Sequence, residues 1–407
     1  MMADYNAKNS GKYENTPVVS AICGEASSLK QYQHNYDFLN RFDKIYICPD
    51  KDTKGEEALH KIAKVLPRDK LYVIELPLKD ANDMLTKGRE QDFISRFFKA
   101  PHYSPAGILG SDTIYEKIVD RALVPKLRLP EFLNGANEML RGGIPEGSIV
   151  NIMAGSGAGK TTLINEIVIE IIENKTRKLG VLTLEADAGE YGENLLSRKI
   201  GQKLSLFDDP IAKHEFITSD HVKQTALELF NNPDGTPSFY LIDDRGDFGA
   251  IEGKIEELII SCNVDTIIID VLTDIFAGEG LDYQQKFMKW QKSTIKAYPG
   301  LIFINIIHSR KGGSGQQTAS NGATLSEEDM TGSASQYQSG SINLVLARDK
   351  VNADPLERNT TYVHLTKNRH AGETGLACKL YYENETHTYH DFNVYKANNL
   401  EKFVGEF

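Results

Sequence analysis

The stretch MAGSGAGKTT, residues 153–162, sets three glycines, a lysine and two threonines between a short apolar run and a long apolar-periodic one, LINEIVIEII. Residues 154–161, AGSGAGKT, fit the pattern G-x-x-x-x-G-K-[ST], except that Ala154 replaces its first glycine. Glycines let the backbone amides of Gly155, Ser156, Gly157, Ala158 and Gly159 curl around a polyphosphate. Lys160 supplies a cation to the β- and γ-phosphates, and Thr161 offers a hydroxyl to magnesium. Thr162 follows in a helix whose positive end faces the anion. A plain Gly/Ser loop has no reason to sit between an apolar strand and an apolar helix, so the chain is read as binding a nucleoside triphosphate.

Hydrolysis needs carboxylates and a sensor. DTIIID (265–270) ends in Asp270, placed to hold magnesium at a strand tip. GVLTLE (180–185) ends in Glu185, a candidate to polarise the attacking water, and NIIHS (305–309) puts His308 at another strand tip. Each is weak alone, and the loop upstream gives them a common target. In the first hundred residues, Asp50 and Asp52 form a D-x-D pair after an apolar run, hard oxygen ligands suited to a divalent ion. The bland reading there is a pair of solvated turn aspartates.

These residues need strand tips and helix starts to hold them. Apolar runs predict strands at 44–49, 71–76, 148–153, 179–184, 239–243, 265–270, 301–307, 342–347 and 361–366, with helical patterns between most of the earlier ones. That is an α/β plan: a largely parallel sheet with antiparallel C-terminal additions. GEEALHKIAKVL (55–66) is an amphipathic helix. The turn-rich stretch 100–111 precedes a second one over 113–124, opened by a Thr113–Glu116 capping box. Residues 310–330 are polar and glycine-rich. Arg310 and Lys311 there could meet the phosphates of a nucleic acid, or the stretch is a plain surface loop.

Bulk properties exclude other classes. The 407 residues are 40% hydrophobic with a net charge of −11, so a wholly basic nucleic-acid coat is excluded but a local basic channel is not. No run reaches membrane-spanning length. The four cysteines form no CxxC pair, and residues 1–16 carry no apolar signal core, so a cytoplasmic protein without disulfides is expected.

In order, the phosphate loop, the LE strand end, IIID, IIH and TKNRHAGETG (366–375) resemble the RecA-like, DnaB-type hexameric replicative helicases. The helicase half of phage primase-helicases and the mitochondrial helicase Twinkle are especially similar. The resemblance implies a RecA-like domain over 126–407 and roles residue by residue. Glu185 is the catalytic glutamate and His308 the phosphate sensor. Lys367 and Arg369 are a lysine and an arginine finger reaching a neighbour's nucleotide, and Arg348 packs on the base. EEDMTGSASQYQSGS (327–341) is similar to a loop that touches single-stranded DNA, through Gly332 and Ser333. Thr331 and Ala334 depart from the relatives' arginine and glycine.

Residues 1–99 resemble a TOPRIM domain through ICPDKD and KDAND, without its E-G strand. Glu25 lies in the wrong segment, so the region reads as a partial TOPRIM-like domain with a vestigial site at Asp50 and Asp52. Residues 100–125 are then a linker and oligomerisation helix. The function implied is an ATP- or dTTP-driven, magnesium-dependent ring of six or seven copies. It would unwind DNA in phage replication inside a bacterial host, alongside a polymerase and a separate primase, with primer synthesis lost. The alternatives are a RecA/KaiC-like ATPase that does not unwind DNA, and a nucleotide-holding scaffold.

Overall fold

A computed structural model describes residues 1–9, 17–20, 25–104, 111, 114–155, 157–243, 251–276, 278, 280–308 and 334–399. They fall into two compact units, Met1–Leu123 and Val124–Phe407.

The first unit holds a short parallel pair, β1 (Ile45–Ile47) and β2 (Leu71–Val73). Apolar side chains pack on both sides of it. Ile45, Ile47 and Leu71 join Ile62 and Leu66, while Ile74 and Leu76 join Met84, Phe93 and Phe97. The helix expected over 55–66 is found at Thr53–Ile62; it starts two residues earlier because the Asp52 carboxylate accepts from Gly55 N at 2.9 Å and caps it. The Asp80 carboxylate caps Ala81–Thr86 in the same way, accepting from Asp83 N at 2.7 Å. In helix Ile114–Ala122 no residue is buried, and Tyr115 and Ile118 are 73% and 59% exposed.

The second unit carries a two-stranded pair, β3 (Lys126–Leu127) with β4 (Ile144–Pro145), and one large sheet. The sheet's strands are β5 (Ile149–Ala154), β6 (Leu179–Thr183), β7 (Phe239–Ile242), β8 (Thr266–Asp270), β9 (Ile302–His308), β10 (Ile342–Ala347), β11 (Thr360–Asn368), β12 (Gly375–Glu383) and β13 (Thr388–Asp391). Their order is β13-β12-β11-β10-β5-β9-β8-β6-β7. From β10 through β7 the pairings are parallel; β11, β12 and β13 are added antiparallel. This is the α/β plan expected from the sequence.

Parallel strands covered on both faces read as unbroken apolar runs, and every residue of β5, β8 and β10 is buried. Alternate residues feed two cores. Val150, Ile152 and Ala154 pack with Leu163, Ile167 and Ile171 of helix Lys160–Asn174, whereas Ile149 and Met153 pack with Phe287 and Met288 of helix Leu281–Ala297. Because β5 is central and parallel to its neighbours, the C-terminal tips of β5, β6, β8, β9 and β10 lie along one edge. The sequence-predicted strand-end residues gather there.

Candidate nucleotide site

The loop after β5 turns into helix Lys160–Asn174 through Gly157 and Gly159, at φ 68° and 89°. Both values are left-handed and favour glycine. A Cβ on Gly159 would overlap the Tyr389 hydroxyl, so the second glycine is required sterically as well. Ala154, buried at the end of β5, serves where the pattern has glycine because the strand has not yet turned. Ser156 lies outside the described residues.

A cleft of about 300 Å³ opens over this loop. Its lining includes Gly157, Lys160, Thr161, Thr162, Glu185 and His308, with Arg348 and Tyr382 on one side. Lys160 is only 6% exposed, and burial pulls its ammonium below the usual lysine range, against the pull of Glu185, Asp270 and Asp274. Its Nζ donates to His308 Nδ1, and His308 Nε2 lies 3.3 Å from Glu185 Oε1. The imidazole thus bridges the loop lysine and the strand-end carboxylate. The hydrogen bond from His308, with Lys160 nearby and burial opposing, holds the Glu185 carboxyl below its ordinary range and keeps it ionised.

Asp270, 3% exposed, is pushed up to about 6 by burial first and by the charge of Glu185 second. Its Oδ1 is buried without a hydrogen-bond partner. A buried, unsatisfied carboxylate oxygen is costly unless a cation meets it. Asp274, one helical turn on in Leu272–Ile275, completes a cluster: ligand atoms of Glu185, Asp274 and His308 all lie within 4.8 Å of one another. Among the described residues this is the one such group of acids and histidines. A hard-oxygen site for a divalent cation fits these residues.

Three members escaped the sequence reading. Asp274 was signalled by its i, i+4 spacing from Asp270. Tyr382, from β12, lines the cleft, and the Arg348 guanidinium stands 5.5 Å from the centre of its ring. Arg348 is held in place by donating to Arg358 O at 2.7 Å and Asn359 Oδ1 at 2.8 Å. Lys350, two residues after Arg348, reaches back over the loop. A Cβ on Gly157 would lie 3.2 Å from Lys350 Cε and closer still to its ammonium.

Other sequence candidates are elsewhere. Lys367 and Arg369 lie at the opposite end of the sheet. Arg369 N donates to Ser341 O, and Ser341 N to Ile149 O, at the start of β5. From Ile149 to Gly155 is six residues, about 20 Å at roughly 3.3 Å per strand residue. Arg310, Lys311, Thr331, Gly332 and Ser333 lie outside the described residues, as does Thr113. Asp50 and Asp52 follow β1 in the first unit, where Asp52 is engaged as a helix cap. Among the described residues, no third acid or histidine joins them in a ligand cluster.

Comparison with known proteins agrees with the fold. The family model "ATPase: KaiC" matches residues 129–317, and a Toprim-like model matches residues 5–85. The fold is similar to a structure solved as an ATPase domain alone (TM-score 0.52, 17% identity, 69% of this chain and 96% of that one). It is also similar to a DnaB-like replicative helicase solved for its interactions with primase (TM-score 0.55, 16% identity, 83% and 79%). The second unit thus has the fold of a RecA-like P-loop ATPase, and a Toprim-like region precedes it. In sequence it is similar to the DNA helicase/primase of Enterobacteria phage T3, 24% identical over 379 residues. That match takes in 91% of this chain and 65% of the phage protein's length.

Proposed function

We propose that the chain is the motor of a phage replicative DNA helicase: a ring of six or seven copies that hydrolyses ATP or dTTP, moves on single-stranded DNA and opens duplex DNA. Lys160 and the amide loop grip the β- and γ-phosphates, with Lys350 adding a second cation. Arg348 and Tyr382 flank the base. Glu185, kept ionised by His308, takes the proton of the attacking water. Magnesium, held by Thr161 and Asp270 with Asp274 beside them, would neutralise charge on the phosphates. His308, touching both Lys160 and Glu185, is placed to register whether the γ-phosphate is present.

The observation that carries the ring is the position of Arg369. It sits about a strand's length from its own phosphate loop (roughly 20 Å), so its use in hydrolysis requires another copy's site. The unburied apolar face of Ile114–Ala122 supplies a surface for docking that copy. A separate primase and a replicative polymerase are its expected partners. Primer synthesis by the chain itself is not expected, since Asp52 caps a helix and no third ligand joins the D-x-D pair among the described residues.

The test is strand separation on a forked duplex with ATP or dTTP and magnesium, with negative-stain imaging of the same sample. Rings that separate the strands support the motor. Rings or filaments that hydrolyse nucleotide without separating strands would favour a KaiC- or RecA-like assembly instead.

A further inference from the structure

Each of three neighbouring strands breaks its apolar run with one asparagine: Asn343 in β10, Asn151 in β5 and Asn305 in β9. All three are fully buried and stand side by side in register, Asn343 against Asn151 and Asn151 against Asn305. Their amides form a directed chain. Gln291, on helix Leu281–Ala297, donates to Asn305 Oδ1 at 2.9 Å. Asn305 Nδ2 donates to Asn151 Oδ1 at 3.1 Å and to Gln291 Oε1 at 3.1 Å. Asn151 Nδ2 donates to Asn343 Oδ1 at 3.0 Å and to the Gln336 carbonyl at 2.9 Å. Asn343 Nδ2 donates to the Tyr337 carbonyl at 3.2 Å.

A buried polar chain in a parallel sheet is unfavourable unless every member is satisfied, and when satisfied it fixes one arrangement. What it fixes is the short helix Ala334–Ser339, anchored through the carbonyls of Gln336 and Tyr337. Gly340 closes this helix against the chain, and a Cβ there would meet Asn151 Nδ2 at 2.5 Å. The same helix end holds both cations assigned to the neighbour's site. Lys367 Nζ donates to Tyr337 O at 3.0 Å and Gln338 O at 3.3 Å, and stands 4.9 Å from the centre of the Tyr337 ring. Arg369 reaches Gln338 O at 3.4 Å.

We infer that Gln291, Asn305, Asn151 and Asn343 are positioning residues: they seat helix Ala334–Ser339 and thereby set where Lys367 and Arg369 are presented to another subunit. The inference rests on the reading of those cations as acting in trans. The chain crosses beneath the nucleotide edge, from the strand that ends in His308 (β9), through the strand that leads into the phosphate loop (β5), to the cations' own support.

The test is a double-mutant comparison in the full-length protein. Gln291→Met removes the outermost amide at similar volume, and Gly340→Ala pushes on the chain from its other end. Trp290, the single tryptophan, reports folding of this region by fluorescence. Affinity for a fluorescent ATP analogue reports the site within one subunit. Both variants should fold and bind the analogue within about twofold of wild type, yet lose roughly tenfold or more in kcat with oligo-dT, since misplacement of about an ångström is worth that much. In a background carrying both Lys367→Ala and Arg369→Ala the same substitutions should add less than about twofold, because the cations they position are gone. Equal losses in both backgrounds, or unchanged kcat in both folded variants, would overturn the inference. Wild-type turnover in Arg369→Ala alone would instead remove the trans reading beneath it, and with it the inference.

Discussion

Aspartates at strand ends occur in both units, and their surroundings make them opposites. Asp52 in the first unit is exposed and caps a helix, a local hydrogen bond that stabilises the fold it sits in. Asp270 in the second is buried, has an unsatisfied oxygen, and lies near Glu185 and Asp274. A carboxylate that the fold satisfies has no remaining task, whereas one that the fold leaves in need is prepared for a ligand. The difference separates the two units on physical grounds, where D-x-D and IIID, each taken alone, are weak motifs.

The contrast can be broken at several strengths. Lys160→Ala should lower nucleotide hydrolysis by on the order of 10³-fold or more, since the phosphates lose a buried cation; steady-state phosphate release is the measurement. Glu185→Gln should keep nucleotide and DNA binding and lose roughly 10²-fold or more in kcat. Lys350→Ala sharpens the picture of the loop. Its KM for nucleotide should rise about tenfold, the worth of one charge-assisted hydrogen bond, while kcat changes little. An unchanged KM would place Lys350 outside the phosphate site.

Two stability measurements test the opposition directly. The Asp270 carboxyl titrates at about 6 in the fold, above its ordinary value of 3.8. The folded protein therefore holds this proton more tightly than the unfolded chain. The resulting stability is complete below about pH 4 and is lost as pH rises through about 6. In EDTA at pH 8, Asp270→Asn should thus be more stable than wild type, by on the order of 2 kcal/mol, while being inactive. Melts followed by Trp290 fluorescence at pH 5 and 8 would show it as a flattened pH dependence. Asp52→Ala should do the reverse. Loss of its cap costs about 1 kcal/mol, seen as faster hydrogen exchange in Thr53–Ile62, with hydrolysis unchanged. A destabilised Asp270→Asn alongside an inactive Asp52→Ala would invert the account.

Much of this was legible because the chemistry is local in sequence. The phosphate loop needs only ten consecutive residues and a strand-to-helix context. Strand tips could be read from where apolar runs stop, which is why Glu185, Asp270 and His308 were found. Asp274 lies only four residues from Asp270 and was open to a local reading, whereas Lys350 and Tyr382 were missed because they come from or follow separate strands and reach the cleft only once β10 and β12 are aligned with β5. The amide chain is hidden for the same reason. Residues 151, 305 and 343 become neighbours through register, and a lone asparagine in an apolar strand gives no sign of its partner. The role proposed for Arg369 was suggested by resemblance alone. That residue's distance from its own phosphate loop comes from β11 running antiparallel to β10, a pairing that no local pattern encodes.

The central claim is that one complete site needs two copies, and subunit mixing tests it most directly. Arg369→Ala alone should bind nucleotide normally and lose on the order of 10³-fold in DNA-stimulated hydrolysis. Lys160→Ala alone should be inactive. In mixed assemblies, a junction at which the Arg369→Ala copy supplies its intact phosphate loop and the Lys160→Ala copy supplies its intact arginine rebuilds one site. Hydrolysis of the mixture should rise modestly above both parents and fall back on dilution to monomers. No rise, with mixed assemblies confirmed by native mass spectrometry, would contradict the shared site.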